Sequence, residues 1–466
     1  MSSFISRLFM AFLSLVAWTG LHAQGQDDPL RPFLDGKAPE ILREILFSKP
    51  VPSNITVRQV VFRSRDDSEI FAVIATPKEL GQHPGMLILH GGGGLAEVEK
   101  AMAWAQRGYV AVAPDLPGIA QPEKLVVTKG KWSALKYGEG RWVATPDASE
   151  SVLFDAVLSA MKSLYLLRAQ PSVDIERIGV VGISWGGTMT TMVCGLAGDQ
   201  VKAGFALYGC GFFDLGVQSS PTNAPYNPKL PRTSLARLLP EERTRWLNGL
   251  DASRRAPAMK AAYYLAAATN DFFGWPRSVQ ATLDAIPGDK NHLFAPNANH
   301  KIPVPGGDIA STEKPDPNFV PTTFQPHPTP KGQKANWLSM EVPYFEYHLK
   351  GLGQPFPKVT VVPGKDPQLA QFSVNAPHPL SKLEVYWAKV GPKVLKSDEI
   401  KNRFWQALPA KKSGEVYQAQ LPPEAGDWFA LVSDERPVTV SSNMIHLRSV
   451  ETELVPTGAG APPAKP

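Results

Sequence analysis

Between Ile55 and His300 the chain alternates short apolar runs with segments whose apolar residues recur at helical spacing. Runs such as MLILH, VAVAP and IGVVG are continuously apolar, as strands buried on both faces are. The pattern predicts strands at Ile55–Arg63, Ile70–Thr76, Gly85–His90, Tyr109–Pro114, Ile178–Gly182, Ala203–Tyr208, Ala262–Thr269 and Asn291–Ala295. Helical spacing falls at Ala96–Arg107, Ser149–Leu167, Gly187–Ala197 and Ser278–Ile286. This alternation implies an α/β architecture, a mostly parallel eight-stranded sheet with helices on both faces. In such a sheet ligands bind beyond the carboxyl ends of the strands, so function falls on the loops that follow them.

Three of those loops are long, and long loops in a compact domain carry function or are disordered. Gln121–Pro146 and Phe212–Ala258, the latter with a helix around Pro240–Leu250, read as cap insertions over the site. The proline-rich Lys301–Lys334 reads as an ordered excursion. A helix over Asn336–Leu352, kinked by Pro343, closes a first domain spanning 24–354. The period then changes. From Lys358 the runs KVTVV, QFSVN, KLEVYWAKV, RFWQALP, EVYQAQL, DWFALVSD and VTVSSNMIHL follow one another between turn residues, with no helix of core size. They predict a small all-β sandwich domain over 355–450, and 451–466 reads as a disordered tail.

The first 23 residues change the picture of where the chain works. Arg7, an apolar run from Leu8 to Trp18 and then Leu21-His22-Ala23 have the layout of a cleaved secretory signal, and the run is too short for a spanning helix. A protein exported to the periplasm or the medium, with no membrane span, is the expectation. The formal net charge is +5, and no dense Lys/Arg block accompanies it, which leaves no case for nucleic acid. Cys194 and Cys210 either pair or lie buried as thiols. Neither has metal-ligand spacing, so no metal is expected.

The chemistry begins after the strand IGVVG, where Gly182-Ile183-Ser184-Trp185-Gly186 leads straight into a helix. A strand-to-helix turn this tight needs nearly side-chain-free neighbours and leaves the Ser184 hydroxyl exposed beside a helix N-terminus. Upstream, GMLILH ends in His90 followed by Gly91 and Gly92 and two further glycines. Their backbone N–H groups, with that of Trp185, are candidates to hold an oxyanion, and His90 reads as a structural hydrogen-bonding residue. A serine nucleophile needs a base, and the base an orienting carboxylate, in the chain order Ser, acid, His. YYLAAATND brings Asp271 to the loop after the second-last strand, and LFAPNANH brings His300 to the loop after the last. Asp284, Asp289 and His292 are the weaker competitors, lying in a helix, in a turn and at a strand start. Asp115 reads as structuring its loop. Trp132, Trp142 and Trp185 are candidates to line a pocket; Phe272, Phe273 and Trp275 beside the acid are candidates for its wall. No cofactor is needed for such a site.

LILHGGGG, VAVAPDLPG, IGVVGISWGG, the TND to WPRSVQ run, FAPNANHKI and the closing FEYHLKGLG resemble the dienelactone hydrolase and acetyl-xylan-esterase-like branch of the α/β hydrolases, over residues 60–352. The resemblance implies the α/β-hydrolase fold, Ser184, Asp271 and His300 as triad, and Trp185 with the Gly91–Gly92 region as oxyanion donors. The C-terminal part looks like the appended domain of PhoPQ-activated-protein-like hydrolases. Dienelactone hydrolases proper use cysteine as nucleophile, and this chain has serine. The expected activity is therefore hydrolysis of ordinary carboxylic esters, with acetyl esters of carbohydrates as the implied substrates. Two alternatives stand beside it: a serine peptidase of the prolyl-oligopeptidase type, and a non-catalytic binding protein on a hydrolase scaffold. Enzymes of the first kind usually carry a large N-terminal propeller, whereas only about 30 residues separate the expected leader from the first strand here, and a purely structural role exerts no demand for three matched residues on three loops.

Overall fold

A computed structural model of the chain describes residues 28–216, 234–271, 273–298, 300, 338–389, 403–436 and 438–447. The expected leader, the loop Lys301–Lys334, Phe272, part of the second cap segment and the tail at 451–466 lie outside these residues.

Strands β1 (Ile41–Ile45), β2 (Ile55–Arg63), β3 (Glu69–Pro77), β4 (His83–Leu89), β5 (Val110–Pro114), β6 (Val173–Ile183), β7 (Ala203–Leu207), β8 (Ala262–Ala268) and β9 (Lys290–Ala295) form one sheet. Their order is β1-β2-β3-β5-β4-β6-β7-β8-β9. Pairing is antiparallel from β1 to β5 and parallel from β5 through β4 to β9. This is the α/β-hydrolase fold, with antiparallel sheets following it in the chain. The sheet has nine strands where the sequence pattern predicts eight. The additional β1, ILREI, is a half-exposed edge strand whose register is irregular where it meets β2. Such a run has neither the continuous apolarity nor the clean alternation by which strands are read.

Helices α1 (Val98–Ala105), α2 (Val152–Arg168), α3 (Trp185–Ala197), α4 (Pro240–Leu250), α5 (Pro276–Ala285) and α6 (Leu338–Phe345) accompany the sheet. Two glycines of β6 show how the layers meet. A Cβ at Gly179 would sit 2.8 Å from the Phe345 ring of α6, and one at Gly182 would sit 2.2 Å from the Gly186 carbonyl oxygen of α3. Residues 179 and 182 point to opposite faces of a strand, so β6 is covered closely on both sides. The closing helix runs through Pro343 and ends in a wider turn at Glu346–Lys350. Its Glu341 is fully buried and held by Lys100 of α1 at 2.8 Å.

The C-terminal strands are β10 (Lys358–Val361), β11 (Leu369–Asn375), β12 (Leu380–Lys389), β13 (Gln406–Pro409), β14 (Lys411–Ser413), β15 (Val416–Gln420), β16 (Ala425–Asp434), β17 (Thr439–Ser441) and β18 (Ile445–His446). They make two antiparallel sheets, β10-β11-β15-β14 and β13-β12-β16-β17, with β18 added on β16. An isolated sandwich would leave alternate residues of β16 exposed, yet all ten are buried. The reason is β9. Its free edge is covered by this region: Phe294 N donates to Ser441 Oγ (2.9 Å), His292 Nε2 donates to the Ser442 carbonyl (2.8 Å), and the Phe294 ring meets Phe429 at 5.7 Å. Edge donors that would otherwise face water are thus paired. The buried apolar residues of both regions form one continuous cluster. Among the described residues no helix is long and apolar enough to cross a membrane.

Candidate active site

The strand β6 delivers Ser184 to the start of α3 with φ +58° and ψ −123°, a left-handed conformation that non-glycine residues rarely adopt. The turn is held by Ser184 N donating to the Leu207 carbonyl (2.8 Å) and Thr188 N donating to the Ser184 carbonyl (3.0 Å). It closes because Gly186 has no Cβ; one built there would lie 2.1 Å from the Leu89 carbonyl oxygen. A residue kept in this region by its surroundings aims its side chain where relaxed backbone would not.

At the carboxyl end of β8, Asp271 is fully buried, and its Oδ1 accepts the Phe273 N–H at 2.8 Å. Beyond β9, His300 stands between them. Its Nε2 is 2.7 Å from Ser184 Oγ, and its Nδ1 lies 3.0 and 2.9 Å from the two Asp271 oxygens. The carboxylate fixes the proton on Nδ1, which leaves Nε2 as the acceptor facing the serine hydroxyl. Tyr208 stacks on the imidazole at 4.3 Å and Phe273 meets it edge-on at 5.4 Å. Hydroxyl, imidazole and carboxylate thereby form one hydrogen-bonded line.

The glycine loop after β4 lies against Ser184: a Cβ at Gly91 would be 3.4 Å from Ser184 Cβ, and one at Gly92 would be 3.0 Å from the Trp185 ring. Among the described residues the backbone N–H groups of Gly91, Gly92 and Trp185 meet no acceptor. His90 shapes this loop. Its Nδ1–H donates to the Gly91 carbonyl (2.8 Å) while Nε2 accepts the Leu116 N–H (2.9 Å). Burial pushes its pKa down to about 4, so the ring stays neutral and can do both. Asp115 accepts from Ala96 N (2.8 Å) and Thr128 Oγ1 (2.7 Å), tying the glycine loop to the first cap segment. Burial raises its pKa, and these two bonds pull the other way.

Of the pocket candidates, Trp142 and Trp185 meet at 6.0 Å, and Phe213 and Phe273 join them, Phe213 stacking on Trp185 at 5.9 Å. Trp246 of α4 stacks on Trp142 at 4.6 Å and donates to the Arg141 carbonyl, so the two cap segments lock together here. Trp132 is buried elsewhere, lining a small cavity with Leu135 and Val152. Trp275 is buried just before α5, against Gly216. Phe213, Trp246 and Tyr208 were not singled out by sequence reasoning; only the positive φ of Tyr208 and the tertiary packing mark them. Cys194 and Cys210 are both buried free thiols.

The nine-stranded sheet carries this constellation on the loops where the α/β-hydrolase fold places its sites. Residues 70–233, about a third of the chain, match the model of the dienelactone hydrolase family. Solved structures with similar folds include acetyl xylan esterase from Paenibacillus sp. R4 (21% identity, 58% of this chain and 86% of that one, TM-score 0.49). Acetyl xylan esterase 1 from Thermoanaerobacterium sp. JW/SL YS485 gives 21%, the same coverage and a TM-score of 0.48. Acylaminoacyl peptidase from Pyrococcus horikoshii gives 20% identity, 53% and 38% coverage and a TM-score of 0.39. No curated protein matches the chain.

Proposed function

We propose that the protein is an exported serine carboxylic ester hydrolase that works through an acyl-enzyme, with short acyl esters, acetyl esters of carbohydrates among them, as substrates. The observation that carries this reading is the line from Ser184 Oγ through His300 to Asp271, each step within 3.0 Å.

In this reading Ser184 Oγ attacks the ester carbonyl carbon while its proton passes to His300 Nε2. Asp271 stabilises the imidazolium that forms and holds its tautomer. The N–H groups of Trp185, Gly91 and Gly92 donate to the carbonyl oxygen as its negative charge develops. The tetrahedral species collapses, the alcohol leaves with the proton from His300, and the acyl group remains on Ser184. Water then attacks the acyl carbon while His300 takes its proton; as the C–Oγ bond breaks, His300 returns that proton to Ser184 Oγ and the acid is released.

Hydrolysis of acetyl, butyryl and longer p-nitrophenyl esters and of acetylated xylan, with Ser184→Ala as control, tests the proposal. Short esters are cleaved, and the variant loses roughly 10⁴–10⁶-fold in kcat. Equal activity of the two proteins removes Ser184 from the mechanism. If peptides are cleaved and no ester is, the peptidase reading replaces this one. Export rests on the pattern of residues 1–23: protein recovered outside the cytoplasm should begin near Gln24, and an intact Met1 in that fraction would contradict it.

A further inference from the structure

We propose that the C-terminal β region is a clamp that sets the positions of Asp271 and His300, with Asn297 and Asn270 as the positioning residues; this rests on the triad reading above. The two loops that carry the acid and the histidine are first tied to each other. Asn270 N donates to the Ala298 carbonyl (3.0 Å), Asn297 N donates to Thr269 Oγ1 (2.9 Å), and that hydroxyl donates to Asn270 Oδ1 (2.6 Å). Both asparagines, each almost fully buried, then reach across to one short stretch of the β region. Asn297 Oδ1 accepts the Trp405 N–H at 2.7 Å and its Nδ2 donates to the Trp405 carbonyl at 2.8 Å. Asn270 Nδ2 donates to the Arg403 carbonyl at 2.6 Å.

The chemistry of the Asn297 contact explains the residue. Its backbone sits at φ +56°, where asparagine is among the few side chains tolerated. Its amide presents one acceptor and one donor, as a peptide unit does, and pairs with Trp405 as a neighbouring strand would. The stretch it pairs with is itself pinned. The Arg403 guanidinium binds the Lys389 carbonyl and Asp427, lies over the Trp405 ring at 4.7 Å, and Asp427 is held from its other side by His446 at 2.6 Å. Trp405 packs on Phe429 at 5.2 Å. A region that merely covered apolar surface would have no need of buried polar bonds to the residue before the acid and to the one three positions before the histidine. Misplacing a reacting group by about 1 Å costs on the order of 10²-fold in rate, which is the scale on which such a clamp matters.

The test uses the full chain and p-nitrophenyl acetate. Asn297→Gly keeps the left-handed backbone free of strain and removes the amide; Asn270→Ala removes the bond to Arg403. Phe372→Leu, in the other sheet of the β region, serves as a destabilised control. Expected is a drop in kcat of about 10–100-fold for each asparagine variant with KM within about twofold, and labelling by a fluorophosphonate slowed in proportion. The pH profile of kcat/KM should also differ from that of the parent in both variants, because the carboxylate no longer meets Nδ1 at 2.9 and 3.0 Å. Phe372→Leu should lower Tm without moving kcat or the profile. Wild-type kcat and pH profile in either folded asparagine variant overturns the clamp, as does an equal fall in kcat for Phe372→Leu. Asn270→Ala, which alters no left-handed residue, decides the matter if Asn297→Gly does not fold. Loss of labelling in Ser184→Ala shows that the triad reading stands separately; labelling that survives there overturns that reading and the clamp with it.

Discussion

Ser184 is held by backbone alone: β6 leads in, α3 leads out, Gly182 lets the two touch, Gly186 lets the end of β4 approach, and the Ser184 N–H donates to the Leu207 carbonyl of β7. Asp271 and His300 are held through Asn270 and Asn297, whose partners Arg403 and Trp405 lie 133 and 108 positions further along the chain. One half of the line is thus built by backbone packing within the central sheet and the other half by side-chain bonds to a second layer of the protein. The difference teaches where each half is vulnerable. The serine depends on a fit too tight for one methyl group, whereas the acid and base depend on polar contacts that can be loosened without unfolding the chain.

The strongest way to break the backbone half is Gly186→Ala. Its Cβ would lie 2.1 Å from the Leu89 carbonyl oxygen, with backbone on the other side and nothing flexible to yield. Strain on this scale costs more than about 4 kcal/mol, and the variant is expected to yield no soluble folded protein, as judged by circular dichroism and gel filtration. On the other half, Asp271→Asn keeps the shape and the acceptor for the Phe273 N–H but presents the wrong partner to Nδ1. Its kcat on p-nitrophenyl acetate should fall about 10⁴-fold with Tm nearly unchanged. A fall of less than tenfold would mean that the carboxylate does not orient the base.

The smallest effect sharpens the account of the interface. His292 of β9 is buried and donates to the Ser442 carbonyl, and burial lowers its pKa to about 4 from an ordinary 6.5. The unfolded chain therefore takes up a proton below pH 6.5 that the folded one refuses until about pH 4. Its contribution to stability is complete above pH 6.5 and lost as the pH falls towards 4. His292→Gln keeps the donor and removes the titration. Between pH 7 and 4 the parent should lose up to ~3 kcal/mol more than the variant in urea melts, and parallel pH dependences would contradict this assignment.

The histidine to which Nδ1 and Nε2 belong illustrates how far the chain could be read. Position in the last βα loop separates His300 from His292, because only the end of a strand points at the site. The same rule selects Asp271 over Asp284 and Asp289, and the fold brings Ser184, His300 and Asp271 into hydrogen-bond contact. The aromatic residues were harder. Trp142 and Trp185 meet beside the serine, but Trp132 turns into its own loop and Trp275 lies before α5, because a tryptophan in an irregular segment has no period from which its direction can be read. The edge strand β1 escaped for a related reason, since its pairing with β2 rather than its own pattern makes it a strand.

What the sequence by itself determined is the set of features whose cause is local. These are the buried parallel strands, the helices between them, the glycine-flanked serine and the change of period at Lys358. Only the tertiary structure decided how the C-terminal sheets relate to the site. It lays them along the free edge of β9, buries β16 on both faces and pairs Asn297 and Asn270 with residues 403–405. An asparagine amide makes the same two bonds to any peptide unit that reaches it, so no pattern in the chain names its partner; that choice belongs to the packing of the two regions around one continuous core.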